Sequence, residues 1–162
     1  MLVSENVLKW ALRIYPPLLF QRIWVVGFEK GFRSVKVKVN KSLISNNYNN
    51  STFGGTIFSA ADPFFPLLFH QVLTRKGYKV RVWLRSAEIR YLKPGRKDLF
   101  FTASITEDQI KEVEDILNRS EKHRKFYTLQ MRDPDGQLCV EVATEVYIRN
   151  RTVNEPKNYV SI

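Results

Sequence analysis

Residues 53–62 read Phe-Gly-Gly-Thr-Ile-Phe-Ser-Ala-Ala-Asp, a glycine pair that opens an apolar helix with one carboxylate in it. Backbone N–H groups at the start of a helix are unpaired and lie at the positive end of its dipole, so they suit a developing oxyanion. Gly54 and Gly55 have no side chain to keep a substrate away. Asp62 lies among Ile, Phe, Ala and Leu, where an unpaired charge is costly. This stretch therefore predicts a reactive helix start and a carboxylate with a role.

The helix that begins here is predicted over about residues 56–74 and is apolar on nearly every side, so other elements should wrap around it. Pro63 and Pro66 interrupt its hydrogen-bond ladder, because proline has no backbone N–H. Two arrangements fit these prolines. The helix is kinked at Asp62, or it ends at Ala61 and Asp62 caps a second helix.

Strand patterns flank this helix on both sides. Residues 23–28 and 35–39 are rich in β-branched and aromatic residues and predict a hairpin. Further strand-like segments follow at residues 80–91, 99–105, 125–131 and 138–148. Short turns between consecutive strands indicate an antiparallel sheet, with the apolar helix on its concave face. The predicted fold class is α+β.

Two more helices are predicted outside this core. Ser4 can cap an amphipathic helix that Pro16-Pro17 ends, and the simplest role of this helix is to cover one edge of the core. Binding to a membrane surface is less favoured, since its polar face holds only Lys9 and Arg13. Thr106 caps a polar helix with acidic residues in its first turn.

The length of 162 residues and the 44% of hydrophobic residues fit a single domain over residues 1–162. Within it, residues 1–19 form an N-terminal helical segment and residues 151–162 a C-terminal tail. The single Cys139 excludes an intramolecular disulfide, and two histidines make no metal-binding cluster. Charges near the N-terminus argue against a signal peptide, and no apolar run approaches membrane-spanning length. We expect a cytoplasmic protein without a metal.

The net charge of +10 is unevenly distributed. Residues 1–52 hold eight basic and two acidic side chains, whereas residues 98–121 hold two basic and seven acidic ones. A basic surface can bind a polyanion, but no recognition helix or aromatic RNA-binding motif accompanies it. We therefore expect no nucleic-acid partner.

The glycine pair and the aspartate resemble the motif of the hotdog-fold thioesterases, specifically the phenylacetate-pathway type. That motif has a histidine, two glycines and, seven positions past the second glycine, an aspartate on the central helix. Residues 53–62 keep this spacing, and residues 89–95 resemble the strand that follows the helix in this group. Phe53 replaces the usual histidine, which places the chain near a less characterised, DUF4442-like branch. The resemblance covers roughly residues 20–150.

The resemblance implies a catalytic role for each matching position. The N–H of Gly54 would bind a thioester carbonyl, Gly55 would extend the helix start, and Asp62 would act as general base or as nucleophile. Asn47 or Asn49 lies where related enzymes place a carbonyl-polarising or water-binding asparagine. The residues assigned to substrate binding are Phe53, Phe58, Ser59, Phe65, Arg90, Lys93 and Arg96. No cofactor is implied, because coenzyme A is part of the substrate.

The spacing of the motif carries a separate prediction about assembly. Gly54 and Asp62 are eight residues apart, or roughly 12 Å along a helix axis. One helix cannot bring both to one carbonyl, but two antiparallel helices across a twofold axis could do so at two equivalent sites. We therefore expect a homodimer, with a tetramer left open.

Other candidates have simpler interpretations. The basic side chains of Arg90, Lys93 and Arg96 surround a turn, and they either remain solvated or grip the phosphates of coenzyme A. His70 fits a core histidine, and His123 is predicted in a charged turn.

Two functions are consistent with these residues. The first is an acyl-CoA thioesterase, with an aromatic tunnel from Phe58, Phe64 and Phe65 for the acyl chain. The second is a non-catalytic hotdog protein that binds acyl-CoA or a lipid, in which Phe53 marks the loss of chemistry.

Overall fold

The computed structural model describes residues 3–119 and 122–151. These residues form five α-helices and six β-strands. The helices are α1 (Glu5–Ile14), α2 (Pro16–Phe20), α3 (Gly54–Ala61), α4 (Phe64–Arg75) and α5 (Glu107–Asn118). The strands are β1 (Ile23–Phe28), β2 (Ser34–Val39), β3 (Val80–Tyr91), β4 (Leu99–Ser104), β5 (Lys122–Arg132) and β6 (Leu138–Asn150). Most of the predicted C-terminal tail, from residue 152 onward, lies outside the described residues.

The six strands form one antiparallel sheet in the order β1-β2-β4-β5-β6-β3. Val35, Val37 and Val39 of β2 are buried, and the residues between them face outward. This alternation puts one face of the sheet against α3 and α4 and leaves the other face wet. The α+β prediction is confirmed.

The central helix is kinked. α3 ends at Ala61 and α4 begins at Phe64, while Asp62 keeps helical dihedral angles of −59° and −54°. Its N–H still donates to the carbonyl of Phe58 at 3.1 Å, and no side chain caps the start of α4. The structure therefore has the kink at Asp62, and the alternative in which Asp62 caps a second helix is wrong.

The helix ends follow the predicted caps. The Ser4 hydroxyl accepts a hydrogen bond from the N–H of Val7 at 3.3 Å. Thr106 and Gln109 form a reciprocal capping box at the start of α5. The first helix, α1, ends before Pro16 as predicted. A second short helix, α2, then begins at this proline.

His123 departs from its predicted place in a charged turn. It lies on β5 and is 1% exposed, and its Nε2 is 3.0 Å from the hydroxyl of Tyr127. Strand alternation explains the difference, because Lys122 and Arg124 point outward and so turn the side chain between them into the core. Burial lowers the pKa of His123.

Because His123 is buried, its titration makes the free energy of unfolding depend on pH. Replacing this one residue isolates its contribution. The folded-state pKa of His123 lies below the ordinary value of 6.5, so the unfolded chain binds the proton first. Stability from this residue is present above pH 6.5 and is lost as the pH falls toward the folded-state pKa. Between pH 6.5 and the folded-state pKa, the free energy of unfolding of the wild type should fall by up to about 1.4 kcal/mol per pH unit more steeply than that of His123→Gln.

Urea denaturation between pH 7 and pH 5 measures this difference. Gln can still hydrogen-bond to Tyr127 but does not titrate, so it is the matched reference. Parallel slopes for the two proteins would show that His123 does not stay neutral in the fold.

Candidate active site

The start of α3 presents unpaired backbone donors. The carbonyl of Phe53 accepts from the N–H of Thr56 at 3.0 Å and from that of Ile57 at 3.2 Å, which closes the first turn. In the described chain the N–H groups of Gly54 and Gly55 donate to no acceptor. They also lie at the positive end of the helix dipole. Both N–H groups are therefore available to an acceptor from outside the helix.

Two backbone contacts fix the loop that leads into this helix. The N–H of Thr52 donates to the carbonyl of Gly95 at 2.9 Å, and the Thr52 hydroxyl donates to the same carbonyl at 3.1 Å. The N–H of Phe53 donates to the carbonyl of Ser45 at 2.7 Å. The helix start is thus held against the turn that follows β3.

A pocket of about 370 Å³ opens beside the helix start. Its lining includes Asn47, Gly54 and Lys93, three of the predicted site residues. Tyr91, Pro94 and other residues of the turn after β3 complete its wall. The structure therefore brings together the glycine, one asparagine and one lysine from three separate stretches of sequence.

Tyr91 is a site residue that the sequence analysis did not single out. Its hydroxyl donates to the carbonyl of Gly54 at 3.1 Å. A Cβ on Gly54 would lie 3.0 Å from that hydroxyl, so a residue larger than glycine there needs a small shift of the tyrosine. Burial raises the pKa of Tyr91, which keeps the hydroxyl a donor. The one feature of the sequence that could have pointed to Tyr91 is its position within the strand and turn at residues 89–95.

The ring of Phe53 lies over Gly55. A Cβ on Gly55 would collide with this ring, whereas the other side of the ring is exposed to solvent. The glycine pair thus serves two contacts, one glycine for Tyr91 and the other for Phe53. Phe53 partly occupies the space that a ligand would need to approach Gly55.

Of the two candidate asparagines, Asn47 is the one at the pocket. Its Oδ1 accepts from the N–H of Asn49 at 3.0 Å and from the N–H and hydroxyl of Ser51, each at 3.1 Å. The carbonyl end of Asn47 is therefore committed to the loop, and its amide NH₂ is the group left to meet a ligand. Asn49 is exposed and helps to hold Asn47.

Asp62 does not join this pocket within one chain. It lies two turns further along the kinked helix, and among the described residues its carboxylate has no hydrogen-bond or ion-pair partner. Partial burial raises its pKa above the ordinary value of 3.8. No hydrogen bond or ion pair within the described chain offsets the cost of burying this carboxylate. Such an uncompensated group is typical of a functional site.

One face of α3 is open. Thr56, Ile57, Ala60 and Ala61 are buried, whereas the opposite face holds Gly55, Phe58, Ser59 and Asp62. The sheet reaches only one side of α3, so the other side of the helix is left uncovered in the single chain. Phe58 and Ser59 lie beside Asp62 on this open face.

The predicted aromatic tunnel is not formed within the chain. Phe64 and Phe65 are buried in the core, where their rings pack against Phe101 at 5.8 Å and Tyr127 at 5.4 Å. Their positions on α4 turn them toward the sheet. Phe58 alone of the three predicted tunnel residues has an exposed ring.

The predicted basic cluster is divided. Lys93 lines the pocket at the helix start, and Arg96 is exposed on the same turn. Arg90 lies on a different, polar cleft on the outer face of the sheet, where its Nε donates to Glu88 at 3.1 Å. The alternating direction of side chains on β3 separates Arg90 from the pocket.

No three His, Cys, Asp or Glu side chains in residues 3–119 and 122–151 lie close enough together to hold a metal ion. None of the helices in these residues has the length and apolar character that a bilayer crossing requires.

Solved structures share this architecture. A Pseudomonas aeruginosa protein, PA5026, named "Probable Thioesterase", is 16% identical, with a TM-score of 0.82 over 93% of this chain and 99% of its own. The PaaI protein of the Escherichia coli phenylacetic acid degradation operon is 14% identical, with a TM-score of 0.60 over 89% and 95%. The smu.793 protein of Streptococcus mutans, bound to acetyl CoA, is 20% identical, with a TM-score of 0.58 over 81% and 91%.

These likenesses confirm the predicted hotdog fold. No curated protein matches the chain in sequence. A family model described as a domain of unknown function, DUF4442, matches residues 4–148. The chain therefore belongs to the DUF4442 family.

Proposed function

We propose that this protein is an acyl-CoA thioesterase whose active sites form between two chains. The observation that carries the proposal is the start of α3, where the N–H groups of Gly54 and Gly55 are unpaired and Gly54 lines a pocket of about 370 Å³. Donors held in place by a helix can stabilise the oxyanion of a tetrahedral intermediate. The neighbouring folds support the substrate class, since one is named a thioesterase and another binds acetyl CoA.

The partner chain is needed to supply the base. Gly54 and Asp62 of one chain are separated by roughly 12 Å along the helix. β3 is an edge strand that pairs only with β6 in the described chain, so its other edge is free to pair with β3 of a second chain. A twofold axis there would set the open faces of two α3 helices against each other.

Exposed apolar side chains support this interface. Phe53, Phe58, Tyr91 and Leu92 are all exposed around the helix start. In the loop before it, Leu43 and Tyr48 are more than nine-tenths exposed. Apolar surface of this extent near a pocket is typical of a surface that another chain covers.

The reaction then follows from the donor and base positions. The partner subunit's Asp62 removes a proton from water, and the water oxygen bonds to the thioester carbon while the carbonyl oxygen becomes an anion. The N–H groups of Gly54 and Gly55 stabilise this anion. Its collapse breaks the C–S bond, and the thiolate of coenzyme A leaves and takes up the proton. Direct attack by the carboxylate would pass through an anhydride and give the same products.

Lys93 and Arg96 are placed to bind the phosphates of coenzyme A. Lys93 lies at the pocket and Arg96 on the same turn, and phosphate oxygens are the natural partners of both side chains. Arg90 lies outside this group in the single chain.

One observation favours a second function, the binding of acyl-CoA or a lipid without hydrolysis. The ring of Phe53 lies over Gly55 and so crowds one of the two oxyanion donors. Saturable binding of acyl-CoA with no thiol release from a panel of chain lengths would favour this function over the first.

Removal of the base should abolish hydrolysis. We expect Asp62→Asn to lower kcat for an acyl-CoA ester by about 10²–10⁴-fold, because the amide cannot accept the proton of water. Thiol release measures this rate. The matched control is Asp115→Asn, which changes the same charge on the exposed surface of α5 and should keep wild-type activity. Undiminished hydrolysis in Asp62→Asn would exclude the mechanism.

The same substitution should stabilise the fold at neutral pH. The folded-state pKa of Asp62 is raised above 3.8, so its contribution to stability is fully present below that pH and is lost as the pH rises through the folded-state pKa. Asp62→Asn should therefore have a higher free energy of unfolding than the wild type at pH 7, and an equal one near pH 3. Thermal denaturation at one fixed protein concentration tests this. A less stable variant at pH 7 would mean that the carboxylate has a structural partner.

Mixing two inactive variants tests whether the site is shared. Gly54→Pro removes one donor at the first position of α3, where proline is tolerated after a small shift of Tyr91. In a mixed dimer with Asp62→Asn, one site has both defects and the other has neither. Random exchange of chains should therefore restore about a quarter of wild-type activity. No recovery, with exchange shown by mass spectrometry, would place the whole site in one chain.

A further inference from the structure

The N-terminal helix has large apolar side chains on the side turned to solvent as well as on the side that faces the core. None of the residues of α1 is buried, although Leu8 and Leu12 pack partly against the core. Ile14 is 70% exposed and Trp10 is 55% exposed, and Val7 lies beside them on the same side of the helix. A helix that merely covered the sheet would place these side chains inward.

The exposed apolar surface continues onto α2 and β1. Phe20 is 70% exposed, and Tyr15 and Leu19 next to it are also exposed. Trp24 and Val26 point outward from β1, since they alternate with the buried Ile23 and Val25. We call this surface the aromatic patch, and it consists of Val7, Trp10, Ile14, Tyr15, Leu19, Phe20, Trp24 and Val26.

An arginine holds the patch together. The guanidinium carbon of Arg13 lies 4.6 Å from the ring centre of Trp10 and 4.2 Å from that of Trp24. Its Nε donates to the carbonyl of Val25 at 2.9 Å. The two indoles are therefore fixed in place around a cation, so the patch is preformed.

The surroundings of the patch are cationic. Residues 1–52 hold eight basic and two acidic side chains. The two acidic side chains, Glu5 and Glu29, leave a net charge of +6 over this range. Lys9, Arg22 and Lys36 lie on or beside the patch elements. The charge is therefore complementary to an anionic surface.

We propose that the aromatic patch docks the protein on the surface of an anionic lipid bilayer. Trp and Tyr suit the depth of lipid headgroups, and an exposed apolar helix side flanked by Lys and Arg is the signature of a helix that lies in the interface. The patch is on the β1 edge of the sheet, opposite the β3 edge. A second chain paired through β3 leaves it free, so this inference does not depend on the proposed enzyme.

Sedimentation with vesicles tests the docking. The wild type should bind vesicles of equimolar phosphatidylcholine and phosphatidylglycerol more tightly than vesicles of phosphatidylcholine alone, and added salt should weaken the binding. Phe20→Glu and, separately, Ile14→Glu should each weaken binding by about tenfold or more, because each places a charge in the headgroup region. The matched control is Phe126→Glu, which alters another exposed phenylalanine, 55% accessible on β5 and outside the patch.

Three results would overturn the proposal. The first is a wild-type protein that stays in the supernatant with both kinds of vesicle, or binds both equally. The second is equal weakening by Phe20→Glu and Phe126→Glu, with circular dichroism showing both folded. The third is an oligomer that Phe20→Glu divides in light scattering while no variant binds vesicles, which would make the patch an interface between copies of the chain.

Discussion

An apolar helix with a carboxylate in it has to be covered, and the six-stranded sheet covers only one side of it. Thr56, Ile57, Ala60 and Ala61 meet the sheet, and their burial holds α3 in place. The remaining side carries Gly55, Phe58, Ser59 and Asp62 in the single chain. The open helix face, the free edge of β3 and the half-buried carboxylate are all consequences of this incomplete coverage. In the proposed shared site, a second chain would cover the helix face, pair with the edge of β3 and give the carboxylate a role.

The glycine pair shows how packing and chemistry share the same residues. Gly54 makes room for the hydroxyl of Tyr91, and Gly55 makes room for the ring of Phe53. Both contacts stabilise the entrance to α3, while both N–H groups remain unpaired. The packing role of the two glycines therefore coexists with the chemical role that we propose for their N–H groups. Phe53 is the point of conflict, since its ring packs where a ligand would approach.

The two ends of the sheet present different surfaces. The β3 edge adjoins the helix start and its exposed Phe53, Tyr91 and Leu92, whereas the β1 edge carries α1, α2 and the aromatic patch. The first surface is suited to a second copy of the chain. The second combines indole rings with a cationic surround, which matches lipid headgroups. Under the two proposals, a single domain would join a second chain at one edge and a bilayer at the other.

The sequence by itself determined the elements and the site motif. Strand alternation, the prolines at 63 and 66 and the caps at Ser4 and Thr106 are local signals, so the sheet, the interruption of the central helix and the glycine start could be read directly. Tertiary structure decided which side of each element faces which neighbour. It turned His123 into the core, placed Phe64 and Phe65 against the sheet, separated Arg90 from Lys93 and left large apolar side chains of α1 exposed. These outcomes depend on contacts between residues distant in sequence, and periodicity shows that a face is apolar without showing what covers it.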